Sequence, residues 1–92
     1  VSLLTASATQ MEDMVNALGY VYLGQKKLTQ AIQVFQLNVS MYPNAWNVHD
    51  SLGEAYAEDG KKEEAIKSYS KSIELNPKNT AGIDRLKKLR EQ

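Results

Sequence analysis

The side chains that could do chemistry are few in this sequence, and their spacing does not assemble them. There is one histidine, His49, and no cysteine. Disulfides, thiolate metal sites and cysteine nucleophiles are therefore excluded, and redox logic says nothing about compartment. His49 shares helical spacing with the apolar residues of its segment, so a packed structural role is expected. A metal site of ordinary composition would need a second histidine. Ser68-Tyr69-Ser70-Lys71 matches the S-x-x-K spacing of one class of serine nucleophiles but lacks the companion S-D-N and K-T-G motifs. Glu12-Asp13 and Glu63-Glu64 are neighbouring carboxylates, and adjacent residues on a helix diverge, whereas acid–base catalysis needs them to converge. No glycine-rich phosphate loop is present. The expectation is a chain with no catalytic residue, no cofactor and no metal of its own.

Charge narrows the partners. Eleven basic and eleven acidic residues cancel, which argues against nucleic acid or an anionic membrane as the main partner. Arg85, Lys87, Lys88 and Arg90 form the one basic cluster. A solvated helix end accounts for them, and an RNA-binding helical repeat is the weakest alternative. Apolar residues make up 42% and charged residues 24%, a balance that supports a packed core. No apolar run reaches the roughly 18 residues of a membrane helix. The chain opens on Val1 with no signal core, and a longer parent protein is the simplest expectation.

Those side chains have to be positioned by something, and the sequence supplies it by repeating itself. A shift of 34 places Leu18-Gly19 on Leu52-Gly53, Tyr22 on Tyr56, Lys27 on Lys61, Ala31-Ile32 on Ala65-Ile66 and Pro43 on Pro77. Phe35 falls on Tyr69, Val39 on Ile73 and Met41 on Leu75, with no gap. Apolar residues recur at helical spacing throughout and nowhere alternate as in a strand. Thr9 to Glu12 fits a capping box opening a first helix that carries Met11, Met14, Val15, Leu18, Val21 and Tyr22. Gly24 to Lys27 reads as a turn. Leu28, Ala31, Ile32, Phe35, Val39 and Met41 make the second stripe, which ends before Pro43. Asn44 is the expected cap of a third helix, with Trp46, His49, Leu52, Gly53 and Tyr56 inward. Gly60 supplies its left-handed stop. Ala65, Ile66, Tyr69, Ser72, Ile73 and Leu75 face inward on a fourth helix. Asn79 or Thr80 starts a fifth, with Ile83, Leu86 and Leu89.

A mid-helix glycine costs roughly 1 kcal/mol against alanine, so its presence in both copies predicts a neighbouring helix passing over Gly19 and Gly53. Ala31 and Ala65 are the expected small partners there. Gly24 lies two places earlier than Gly60 would require, which predicts turns of different geometry.

These positions resemble the tetratricopeptide repeat, W-x2-L-G-x2-Y…A-x3-F…P. The copies read Val15-x2-Leu18-Gly19-x2-Tyr22…Ala31-x3-Phe35…Pro43 and His49-x2-Leu52-Gly53-x2-Tyr56…Ala65-x3-Tyr69…Pro77. The resemblance implies an all-α superhelix of five helices: an N-terminal tail and cap over 1–11, repeats over 12–45 and 46–79, and a capping helix over 80–92. Tryptophan is missing from the first pattern position, and Asn38 and Ser72 stand where alanine is usual. The run from Tyr42 to Tyr56, with Asn38-Val39, is also similar to repeat modules that follow bacterial serine hydrolases of the beta-lactamase-like and esterase kind. That likeness implies an accessory domain aiding stability or dimerisation.

The family implies a non-catalytic scaffold that binds a protein, a peptide or an adjoining domain along a concave surface. In this sequence the matching positions are Asp13, Asn16, Tyr20, Leu23 and Gly24, then Asn47, Asp50, Glu54, Ala57 and Glu58, with Asp84 and Lys88 from the closing helix. Where related adaptors place Lys and Asn to clamp a peptide carboxylate, Asn16 and Tyr20 stand here, beside Asp50 and Glu54. An acidic tail would be repelled, and a neutral or basic segment accepted, with Tyr20 and Leu23 as apolar contacts. The first helix has a further apolar edge at Met11, Met14 and Val21, and Val1, Leu3 and Leu4 precede it. This end is expected to pack on its own tail, on a second copy or on an upstream domain.

Overall fold

The computed structural model describes residues 8–92, and Val1, Leu3 and Leu4 lie outside them. Five helices follow in order: α1 (Ala8–Gly24), α2 (Leu28–Met41), α3 (Trp46–Glu58), α4 (Lys62–Leu75) and α5 (Thr80–Arg90). Antiparallel pairs α1–α2 and α3–α4 stack through α2 against α3, and α5 closes the row against α4. The array measures 46 × 29 × 18 Å.

Each pair closes over its glycine, but an aromatic ring fills the notch where an alanine was expected. A Cβ on Gly53 would lie 3.1 Å from the Tyr69 ring, and one on Gly19 would collide with the ring of Phe35. Ala31 and Ala65 are wholly buried one helical turn earlier on α2 and α4. Around these contacts the core divides into two clusters. Leu23, Ala31, Ile32, Phe35, Leu52 and Ala55 form the first, and Ala65, Tyr69, Leu86 and Leu89 the second. Tyr56 packs against both, and its hydroxyl accepts from Gln36 Nε2 at 2.8 Å.

The two turns are alike, contrary to the expectation from glycine placement. Lys26 N bonds Leu23 O and Lys27 N bonds Tyr22 O, as Gly60 N bonds Ala57 O and Lys61 N bonds Tyr56 O. The left-handed residue is Lys26 (φ 62°) in one copy and Gly60 (φ 73°) in the other, while Gly24 merely ends α1. Packing of the helix pair fixes the turn, and Lys26 takes a backbone that glycine adopts at lower cost.

Several local expectations are corrected. Thr9 lies inside α1, which already runs at Ala8, so it is not a cap. Ala45 occupies the N-cap of α3 with no side-chain bond, and Asn44 belongs to the preceding turn. Asn79 does cap α5, accepting from Gly82 N at 3.0 Å. Met41, Trp46 and Ile83 are exposed, not inward, and Leu18 joins Met11, Met14 and Val21 on the outer side of α1. Asn38 and Ser72 are fully buried. Ser72 Oγ accepts from Asn79 Nδ2 at 2.9 Å, while Asn38 Nδ2 donates to the Glu12 carbonyl and its Oδ1 has no partner.

Candidate docking groove

Helices α1, α3 and α5 are the first members of successive units, so residues 34 apart on them line one side of the stack. Polar bonds tie the three together. Ser51 Oγ donates to Asn16 Oδ1 at 2.6 Å, and the Tyr20 hydroxyl donates to Glu54 Oε1 at 3.0 Å. On the other flank, Asn79 Nδ2 donates to Asp50 Oδ1 at 3.0 Å. Arg85 lies 3.5 Å from Asp50 and 4.0 Å from Glu54. The hydroxyl bond fixes Tyr20, whose ring also meets Phe35 edge-on at 5.2 Å between centroids. Burial holds the Tyr20 phenol above its ordinary range, the nearby Ser51 hydroxyl opposing and the Glu54 charge adding to the rise.

The groove positions named from the sequence divide in four. Asn16, Tyr20, Asp50 and Glu54 form the connected row just described. Glu58 and Lys88, with Glu54, Ala57, Tyr69, Arg85, Leu89 and Gln92, line a pocket of about 480 Å³ among α3, α4 and α5. Asp13 is exposed and Asn47 half-buried, and neither joins that row. Leu23 is different: it is buried in the first core cluster and offers nothing to a ligand. It shares that cluster with Ile32 and Phe35 of α2.

Sequence reading missed Arg85, Ser51 and Tyr69 as groove residues. By charge and position in the sequence Arg85 groups with Lys87, Lys88 and Arg90 as one terminal cluster. The shift of 34 places it on Ser51, the residue that bonds Asn16 across the groove. Arg85 and Lys88 face the groove and its pocket, so the basic residues do not form a single patch. Burial raises the Tyr69 phenol well above its usual range, with Arg85 pulling the other way. At the pocket's edge, Lys62 Nζ donates to the Gln92 carbonyl at 2.6 Å.

The remaining reactive residues serve packing. His49 is buried, and its Nε2 sits 2.8 Å from the Pro43 carbonyl, to which it must donate because a carbonyl only accepts. Ser68 is buried and Lys71 pairs with Glu74 at 3.4 Å. Among the described residues no group of three His, Asp or Glu side chains could hold a metal ion, and no helix is long and apolar enough to cross a membrane.

Comparison with known proteins agrees with this architecture. Tetratricopeptide-repeat models match residues 12–44 and 51–79. The human Superkiller complex protein 3 is 35% identical over 65 residues, covering 71% of this chain but only 4% of that protein's length. The Sgt2 TPR domain from Aspergillus fumigatus superposes with a TM-score of 0.82 at 21% identity, over 87% of this chain and 53% of that one, which speaks to the fold. Two matched repeats, ring-filled glycine notches and a shared first-helix groove make this chain a member of the tetratricopeptide-repeat family and a protein-interaction module.

Proposed function

We propose that the groove of α1, α3 and α5 receives an extended protein segment of neutral or basic character, and that the module does no chemistry itself. The observation that carries this reading is the row Asp50, Glu54 and Glu58, one carboxylate per turn along α3. Arg85 offsets the first two, Lys26 reaches Glu58 at 3.6 Å from the rim, and Lys88 lines the same pocket. The Lys26–Glu58 pair is exposed, so a ligand cation can replace Lys26 at little cost. The pocket has the volume of one or two large side chains, and the apolar faces of Tyr69 and Leu89 suit an aliphatic stem bearing a charged tip.

Fluorescence polarisation with labelled basic, neutral and acidic peptides tests this. The basic peptide is expected to bind most tightly, and more weakly in high salt. Glu54→Gln with Glu58→Gln should weaken it several-fold. Tighter binding of the acidic peptide would refute the reading. The run from Tyr42 to Tyr56 favours a second role, as accessory domain to a bacterial serine hydrolase, with the adjoining domain as the partner. Recovery of the coding sequence upstream of Val1 tests it, and a sequence there without a serine-hydrolase motif set ends it.

A further inference from the structure

The outer side of α1 carries Met11, Met14, Leu18 and Val21, spaced 3-4-3 along one stripe. Met14, Leu18 and Val21 are 51%, 47% and 54% exposed. A shift of 34 places them on Val48, Leu52 and Ala55 of α3, which are 0%, 7% and 0% exposed, Leu52 and Ala55 packing in one cluster with Ala31, Ile32 and Phe35 of α2. A second shift reaches Gly82, Leu86 and Leu89 of α5, all buried, Gly82 against Asn79 and Asp50 and the leucines with Ala65 and Tyr69 of α4. The same register is thus a helix-packing face in all three places, and among the described residues only α1 leaves it bare. We propose that a second copy of this chain occupies it, α1 against α1 about a two-fold axis.

Three observations select a second copy. The α1 stripe is bulkier than its counterparts: Met11 stands where α3 has Ala45 and α5 has Asn79, and Val21 where α3 has Ala55. A helix shaped like α2, which packs on α3 over the alanines, is therefore the poorer fit. The 3-4-3 spacing is instead that of a coiled-coil seam, and methionine adapts to irregular gaps. Next, the residues flanking the seam are Gln10, Ala17 and Gly24 on one side and Val15 and Tyr22 on the other, all uncharged. Glu12 and Asp13 lie off the seam, so self-pairing brings no like charges together. Last, the far end of the stack is closed to the same kind of contact. On α5, Lys87 and Arg90 occupy the places of Gly53 and Tyr56, and both are exposed. Head-to-tail growth is blocked there, whereas a two-fold pairing closes after two copies. An antiparallel arrangement sets Met11 against Val21 and Met14 against Leu18 across the axis, with the helix dipoles opposed. Both grooves stay open, because Asn16 and Tyr20 lie on a different side of α1.

Sedimentation velocity on the 92-residue chain, from low to high micromolar concentration, tests the proposal. A reversible monomer–dimer equilibrium is expected. Leu18→Glu should raise its dissociation constant by roughly thirtyfold or more, with helicity by circular dichroism unchanged. Leu37→Glu, at an exposed apolar residue of α2 off the stripe, should leave the equilibrium as it was. A strict monomer at all concentrations would overturn the proposal. If removal of residues 1–7 then produced a dimer, that segment would be the occupant instead. Dimerisation that survives Leu18→Glu, or open-ended oligomers, would also overturn it.

Discussion

The outer face of α1 and the corresponding face of α3 have the same register and opposite surroundings. On α3, Val48, Leu52 and Ala55 are buried, the last two against α2. On α1, Met14, Leu18 and Val21 are open. The pattern of apolar residues is nearly the same in the two places, so the pattern marks where a helix can pack and not whether one does. Among the described residues, the two outermost helices present different surfaces. The α5 end is polar, with Lys87 and Arg90 outward, while the α1 end keeps an internal-looking surface.

The largest contrast should come from truncating the paired leucines. Leu52→Ala removes a buried side chain from the first cluster and should cost about 2–4 kcal/mol in a urea titration. Leu18→Ala, at low protein concentration, should cost less than about 1 kcal/mol. Equal costs would mean that the α1 face is covered in solution even by the monomer.

The glycine notches should differ next. Gly19→Ala drives a methyl into the Phe35 ring and should cost about 1–3 kcal/mol by overpacking. Gly53→Ala meets the Tyr69 ring at 3.1 Å, where a small shift suffices. The better helix propensity of alanine, worth roughly 1 kcal/mol, offsets much of that strain. Thermal melts should therefore rank Gly19→Ala below Gly53→Ala. The reverse order would place the tighter crossing in the second repeat.

A smaller effect is expected at the turns. Lys26→Gly should stabilise the chain by about 1 kcal/mol, because it relieves a left-handed lysine. Gly60→Ala should destabilise it by a similar amount. The ion pair lost with Lys26 is exposed and counts for little. If Lys26→Gly is neutral, the left-handed conformation is held by more than the turn.

Alkaline pH gives the finest distinction. Tyr69 in the second repeat stands where the first has Phe35, and burial raises its folded-state pKa above the unfolded value. The unfolded chain then releases its phenolic proton first as pH rises, so stability is intact below about pH 10 and declines above it. Tyr69→Phe should flatten that decline without abolishing it, since Tyr20 is raised in the same sense. An unchanged pH profile in a melting series would show that Tyr69 ionises freely.

How far the site could be read in advance varied with the kind of contact. Asp50 and Glu54 are placed on the first-helix side by the family resemblance, and there they meet Asn79, Arg85 and Tyr20. Arg85 was not legible as a groove residue, since its role depends on α5 lying beside α3, and it was read by its charge as part of a tail. Leu23 was misread for the same reason, because burial depends on the neighbour that α2 supplies. The turn over Gly24 to Lys27 is legible in the sequence, but its left-handed residue is not, because the usual signal is glycine and Lys26 takes that conformation instead.

The sequence alone determined the five helices, their pairing in a 34-residue register and the polar finish at the α5 end. It could do so because helical period and a missing side chain are local properties that survive without knowing the neighbours. The tertiary structure decided that aromatic rings fill the glycine notches, that Arg85 reaches Asp50, and that no other described helix covers the α1 stripe. Each of those outcomes depends on the distance between residues far apart in the chain, and only the packed helices set that distance.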